Sequence, residues 1–317
     1  MPSFTATAPG KIILFGEHAV VYGEPAIAVP VQVFQARAVV SPEISGSSGD
    51  IWIDAPDISL SADLKTLETD HALRAAVNEV VDDTDLDSAP ACRIQITSTI
   101  PVASGLGSSA AISTALIRAL SAFLGKQMTD EQISRAAFNI EKIHHGTPSG
   151  IDNSVIAFQQ PVYYQKGTPL EFLTINNPFS ILIASSGSPG DTRKAVAAVR
   201  ENWLAEPERY NKIFSEIGSV ARQARKLISP GEVQDLGPLM DHNHTLLQEL
   251  GVSTPKLDHL AQAARNAGAL GAKLSGGGLG GHLIAMVNDE PEAIRDILLE
   301  EGSDSVVLTT VGNLYSQ

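Results

Sequence analysis

Apolar and polar residues alternate from Cys92 to Thr97, with Cys92, Ile94 and Ile96 set against Arg93, Gln95 and Thr97. That period of two predicts a half-buried strand. Beyond Pro101 the period becomes helical: Ile112, Leu116, Leu120 and Phe123 form one apolar stripe, closed by Gly125. The same spacing predicts a helix over 70–81 (Leu73, Ala76, Val77, Val80) and another carrying Ile133, Ala137 and Ile140. Thr129 with Gln132 is a capping-box pattern at the start of the latter. Further strands are predicted at 12–15, 31–40, 180–185, 282–287 and 305–311. Asp191 caps a helix with Val196, Val199 and Trp203, and others cover 207–228, roughly 231–249, and Thr254-Pro255 to Gly268. A last helix carries Ile294, Ile297 and Leu298. Segments 41–50 and 82–89 read as loops, 141–153 as a helix end running into a loop, and the stretch past Asn153 as short strands to about Gln165. The C-terminal half is thus a strand, several helices, a glycine-linked strand pair, a helix and a strand. That order predicts a mixed α+β sandwich of the split βαβ type with inserted helices.

With 317 residues the chain is long enough for one large or two medium domains. Charged residues make up 18% and hydrophobic ones 43%, a soluble globular composition. No apolar run approaches the ~18 residues of a membrane span. Residues 1–7 lack the basic start and apolar block of a signal peptide. The single cysteine, Cys92, excludes an internal disulfide, suits a reducing cytoplasm and sits in a core strand. A formal charge of −14 without any basic run argues against a nucleic-acid partner. It does not argue against phosphate ligands, because local N–H dipoles, a lysine and a bound cation override distant net charge.

Candidate chemistry concentrates in a few stretches. Pro101-Val-Ala-Ser-Gly-Leu-Gly-Ser-Ser-Ala-Ala111 joins the strand at 92–97 to the N-terminus of the helix after it. Gly105 and Gly107 let the backbone turn tightly, and the free N–H groups of the first helical turn favour an anion. Ser108 and Ser109 add hydroxyls suited to a phosphate oxygen or a metal ion. The stretch lacks the lysine of the Walker motif and has Ala110 where the dinucleotide fingerprint has its third glycine, so a packing turn is the competing reading. Lys11, Glu17 and His18 flank the short strand at 12–15, and alone they read as surface residues. Glu141 with His144 has E-x-x-H spacing, but a di-iron site needs a second copy that is not evident. His144 and His145 read as helix-end residues favoured by the dipole. Asp241-His242-Asn243-His244 is expected to be a solvated helix face in preference to a metal site.

Taken together, Ala8-Pro-Gly-Lys-Ile-Ile-Leu-Phe-Gly-Glu-His18, Pro101–Ala111 and Lys273-Leu-Ser-Gly-Gly-Gly-Leu-Gly-Gly281 resemble the three signature motifs of the GHMP small-molecule kinases, in family order and spacing. Gly16–Gly23 and Glu141–Asn153 resemble the branch that phosphorylates mevalonate. The resemblance implies an α+β, two-domain GHMP kinase fold. Its N-terminal α/β domain, of the ribosomal-protein-S5 type, would cover 1–177 and a ferredoxin-like α+β domain 178–317. It implies transfer of the ATP γ-phosphoryl to the 5-hydroxyl of (R)-mevalonate, with Mg²⁺, and it allows a homodimer. Asp152 matches the catalytic aspartate and Lys11 the lysine that contacts it. Lys11, Ala103, Ser104, Gly105, Leu106, Gly107, Ser108 and Ser109 match the ATP site, and Ser109 and Glu141 the metal ligands. Glu17, His18, Asp152 and Thr192 match positions lining the mevalonate site. The third motif departs from the family's unbroken glycine-rich run ending in a small residue, with Leu279 inside it and His282 after it.

Two other readings stand beside this one. The acceptor is another small alcohol or acid, such as phosphomevalonate, homoserine or a sugar; an extra substrate phosphate calls for added basic residues, and Arg193 and Lys194 are the obvious ones. Alternatively the chain is a non-catalytic sensor on the same fold, which ought to have lost Lys11, Asp152 or the metal ligands; all are present.

Overall fold

The computed structural model describes residues 2–101, 104–145, 148–288 and 290–312, and of 144 and 145 the backbone alone. The chain forms two compact units that interleave along the sequence: Met1–Gly10, Gln32–Val102 and Gly107–Gln159 in one, Lys11–Val31, Ala103–Leu106 and Gln160–Gln317 in the other. Strands β1 (Phe4–Phe15) and β2 (Ala26–Pro42) contribute residues to both.

The first unit adds β3 (Ile51–Ala55), β4 (Leu60–Asp63), α1 (Ala72–Asp82), β5 (Cys92–Ser98), α2 (Ser108–Phe123), α3 (Asp130–His145) and α4 (Ile151–Phe158). β5 pairs antiparallel with β2, Ala36 opposite Ser98, and parallel with β3, Ile53 opposite Ile94. Cys92, Ile94 and Ile96 are buried and their alternates exposed, as the period of two requires. Burial pushes the Cys92 thiol up to about 11, which fits a packed core residue. α2 buries Leu116, Ile117 and Leu120, and α1, α3 and α4 pack around it. The capping box of α3 is closed: the Thr129 amide donates to Gln132 Oε1 at 2.9 Å and the Gln132 amide to Thr129 Oγ1 at 3.3 Å. α4 corrects the expectation of a loop and short strands here. Ile151, Val155 and Ile156 are fully buried, and so short an apolar run has no period that separates strand from helix.

The second unit adds β6 (Val162–Tyr164), β7 (Glu171–Phe172), β8 (Phe179–Ser185), α5 (Thr192–Ala205), α6 (Pro207–Ile228), α7 (Leu236–Glu249), α8 (Pro255–Asn266), β9 (Gly271–Ser275), β10 (His282–Val287), α9 (Pro291–Glu300) and β11 (Val306–Val311). β2 pairs with β6 through Ala26–Ala28, and β6 with β7. The remaining strands form an antiparallel sheet in the order β11-β8-β10-β9, with Ile183 opposite Ile284. β10 is buried along its whole length, as expected of an inner strand covered on both faces. α7 and α8 pack on β9, and α9 on β11 and β8. Among the described residues, no helix is long and apolar enough to cross a membrane.

The run Asp241–His244 is not the solvated face it was expected to be. Asn243 and His244 are buried, while Asp241 Oδ1 accepts from the Ala272 amide at 2.8 Å and from Arg265 Nε at 2.6 Å. His244 Nδ1 accepts from the Leu274 amide at 3.2 Å. β9 is an edge strand, so its outward amides at 272 and 274 lack a neighbouring strand, and α7 supplies the acceptors.

This arrangement makes stability depend on pH. Burial, reinforced by Arg265, pushes the His244 imidazole down to about 4, so it is neutral in the folded protein at pH 7. An unfolded chain takes up this proton near pH 6.5, whereas the fold resists until about pH 4. The contribution is complete above pH 6.5 and is lost as pH falls through 4, up to ~3 kcal/mol. Tm is expected to drop across that window, and less so in His244→Gln, which accepts a hydrogen bond but does not titrate. Parallel Tm profiles for the two proteins would remove His244 as the source.

Candidate active site

In the second unit the residues singled out from all three motifs meet. Lys11, on β1, is buried, and its backbone N–H donates to the Leu106 carbonyl at 2.9 Å. Ser275, at the end of β9, donates its hydroxyl to the Ile13 carbonyl at 2.9 Å and accepts from the Ile13 amide at 3.2 Å. His282, opposite Ser275 in the β9–β10 ladder, is buried with Nδ1 3.0 Å from the Ser104 carbonyl. A carbonyl only accepts, so Nδ1 carries the proton, and burial holds this imidazole below its usual range. Residues Ser104–Leu106 are therefore held from two sides, by the Lys11 backbone amide and by the His282 imidazole. Ala103 lies outside the described residues.

β1 ends at Phe15 and the chain turns through Gly16, Glu17 and His18, with both side chains of the Glu-His pair buried. His18 Nε2 is 2.9 Å from the Gly277 carbonyl, and a Cβ on Gly277 would stand 2.5 Å from Thr192 Oγ1. His18 and Thr192 thus converge on one residue of the third motif. Thr192 is exposed at the start of α5, where Asp191 Oδ1 accepts from the Lys194 amide at 2.9 Å. Burial pushes Glu17 up and its partner Lys273 down, and their mutual attraction opposes both.

The first unit carries the other candidates. Gly107 has φ 76° and opens α2 with no side-chain cap; Gly150 has φ 92° and opens α4 the same way. Both angles are in the left-handed region, where a Cβ is costly. Ser108 and Ser109 begin α2 half-buried, so the N–H groups of that first turn have no serine or aspartate cap competing for them. Asp152 is half-buried in the first turn of α4. Asn153 beside it donates to the Ser134 carbonyl at 3.1 Å and to Ser134 Oγ at 2.9 Å, pinning α4 to α3. Glu141 is buried on α3. The side chains of His144 and His145 lie outside the described residues.

No group of three or more His, Cys, Asp or Glu suited to a metal occurs among the described residues. Ser109 and Glu141, the positions that the resemblance assigns to a metal, both carry hard oxygen donors of the kind that suits Mg²⁺ bound chiefly through substrate phosphates and water. Lys273 and Asn243 belong to stretches with candidate chemistry, but neither has a site role of its own in the sequence. Lys273 is 0% exposed and pairs with Glu17 Oε1, and Asn243 Nδ2 lies 3.4 Å from Glu17 Oε2. Lys273 is the one charged residue between Gly271 and Gly281, which was the available signal.

The chain matches the GHMP kinases N terminal domain over residues 71–160 and the GHMP kinases C terminal domain over residues 221–304. The mevalonate kinase of Thermococcus sibiricus is 37% identical over 322 residues, covering 95% of this chain and 94% of that protein. The crystal structure of the Methanococcus jannaschii mevalonate kinase superposes with a TM-score of 0.84 at 27% identity, covering 99% of both chains. The L. major mevalonate kinase in complex with R-mevalonate gives 0.80 at 27% identity, covering 98% of this chain and 97% of that one. The order of the motifs, the two matched domains and the extent of the alignment agree, and this chain belongs to the GHMP kinases, within their mevalonate kinase branch.

Proposed function

We propose that the protein transfers the γ-phosphoryl group of ATP to the 5-hydroxyl of (R)-mevalonate. The observation that carries this reading is the joining of Lys11, Ser104–Leu106 and Ser275–His282 by direct hydrogen bonds within one compact unit. Phosphoryl transfer to an alcohol needs charge neutralisation, alignment and a destination for the hydroxyl proton. The first-turn N–H groups of α2, behind Gly107, would hold phosphate oxygens. Asp152, in the first turn of α4, would accept the hydroxyl proton. Lys11 would supply positive charge to the transferring group. Glu17, His18 and Thr192 would line the alcohol site. Ser109 and Glu141 would hold Mg²⁺, which when bound neutralises charge on the β- and γ-phosphates. Family domains divided at 177/178 and a reducing cytoplasmic setting, in keeping with the buried thiol of Cys92, belong to the same reading.

Purified protein in an ATPase-coupled screen is expected to turn over mevalonate far faster than phosphomevalonate, homoserine or galactose. Preference for any of the last three would reassign the acceptor. A finer expectation concerns His282. His282→Leu removes the donor to the Ser104 carbonyl and is expected to raise the KM for ATP about three- to tenfold with the KM for mevalonate nearly unchanged. His282→Asn, which keeps a donor, should stay within about twofold of wild type. Equal effects of leucine and asparagine would show that the hydrogen bond does not hold the loop.

A further inference from the structure

The turn after β1 has unusual geometry. His18 has φ 60° and ψ −50°, and the Ala19 amide donates back to the Glu17 carbonyl at 2.6 Å. This is a γ-turn with positive φ, a strained conformation for a residue with a Cβ. Such strain persists only where the surroundings over-determine it. Here they do. Lys273 Nζ donates to Glu17 Oε1 and to the Leu274 carbonyl, the latter at 2.6 Å, and Asn243 Nδ2 donates to Glu17 Oε2 at 3.4 Å. Lys273 and Asn243 are 0% exposed and Glu17 1%.

A buried ion pair is a poor stabiliser, because desolvation consumes most of what its attraction supplies. Apolar side chains would fill the same space at lower cost, so this pair calls for an account other than stability. What it does accomplish is positional. It fixes the Glu17 side chain from β9 and α7, and with it the backbone that aims the adjacent His18 ring. His18 Nε2 is set against the Gly277 carbonyl, which only accepts, so Nε2 bears the proton. Burial disfavours a second proton on this ring, which leaves Nδ1 as an acceptor.

We propose that Lys273 is a positioning residue for the substrate alcohol: through the buried Glu17 carboxylate it holds the strained turn that presents His18 Nδ1 as a hydrogen-bond acceptor to a substrate hydroxyl. The inference rests on the kinase reading above, in which Glu17 and His18 line the alcohol site. It assigns a task to a lysine of the third motif that makes no contact with the reacting atoms.

The test is steady-state kinetics on the full chain in four forms: wild type, Lys273→Met, His18→Ala and the double variant. Lys273→Met is expected to raise the KM for mevalonate by about tenfold or more and to leave the KM for ATP within about twofold. Added to His18→Ala it should change the KM for mevalonate by less than about twofold, since the two residues act through one contact. An unmoved KM for mevalonate in Lys273→Met, or the same increment in both backgrounds, would overturn the inference. A purely structural lysine would lower Tm and leave the folded fraction's KM values alone. Should Lys273→Met not fold, Glu17→Gln with Lys273→Met removes both charges together. That pair is expected to fold with the KM for mevalonate still raised, and a wild-type KM there would also overturn the inference. Wild-type protein that phosphorylates no mevalonate defeats the kinase reading itself, whereas wild-type turnover with an unmoved KM defeats only the role of Lys273.

Discussion

Asp152→Asn is expected to lower kcat by at least ~10²-fold while ATP binding stays nearly unchanged. The substitution keeps the shape of the side chain and removes its capacity to take a proton. Asp152 stands in the first turn of α4, a helix held to α3 through Asn153 and Ser134, so the neighbouring geometry survives the change. An interaction made only in the transition state shows as equal losses in kcat and kcat/KM. The measurement is therefore steady-state kinetics paired with a direct ATP-binding titration. Retention of more than about a tenth of wild-type kcat would take Asp152 out of the catalytic role, leaving electrostatic activation by Lys11 as the account of proton removal.

Gly107→Val is expected to abolish the stabilisation that MgATP confers. Gly107 has φ 76° and ψ 29°, immediately before the uncapped first turn of α2. A branched side chain there is strained and, on the proposed reading, would also stand where phosphate oxygens approach the amides. The strain alone costs on the order of 1–3 kcal/mol, so loss of activity by itself would not separate the two effects. The paired measurement does. Thermal midpoints are taken without ligand and with MgATP at about 100 times the wild-type Kd, where wild type gains about 2.7 kcal/mol. In the variant the ligand-free midpoint falls, the transition stays cooperative, and the MgATP shift disappears. A variant that unfolds cooperatively and keeps the full shift would return the glycine-rich turn to a packing role.

The contrast between these two sites shows how much of the chemistry was legible in the residues themselves. Gly107 announced itself, because a glycine-rich turn between an alternating strand and a helical stripe is a local pattern. Asp152 did so through its motif, yet its setting differs from the expectation: in place of a loop it stands in the first turn of α4. Ile151, Val155 and Ile156 are β-branched and the segment is short, so propensity pointed away from a helix and the period could not separate helix from strand. Burial in the first unit overrode that preference, as tertiary packing commonly does.

Local pattern was enough wherever one element's residues meet a single environment. The alternation at 92–97, the stripe of α2, the Thr129–Gln132 capping box and the Asp191 cap all appear as expected, because each records contacts within a few residues of sequence or with one continuous apolar face. The three motifs likewise carry the family resemblance in the sequence alone. What the sequence could not determine is where its polar residues find partners. Asp241, Asn243 and His244 look like a solvated run, yet they serve the open edge of β9 and the carboxylate of Glu17. Lys273 and Glu17 are separated by 256 positions and no local pattern links them, but together they form a fully buried pair behind the His18 turn. A hydrophobic residue carries its burial in its own chemistry, so periodicity reveals it. A charged or hydrogen-bonding residue is buried only if a partner arrives from elsewhere in the fold, and only the tertiary structure decides which partner that is.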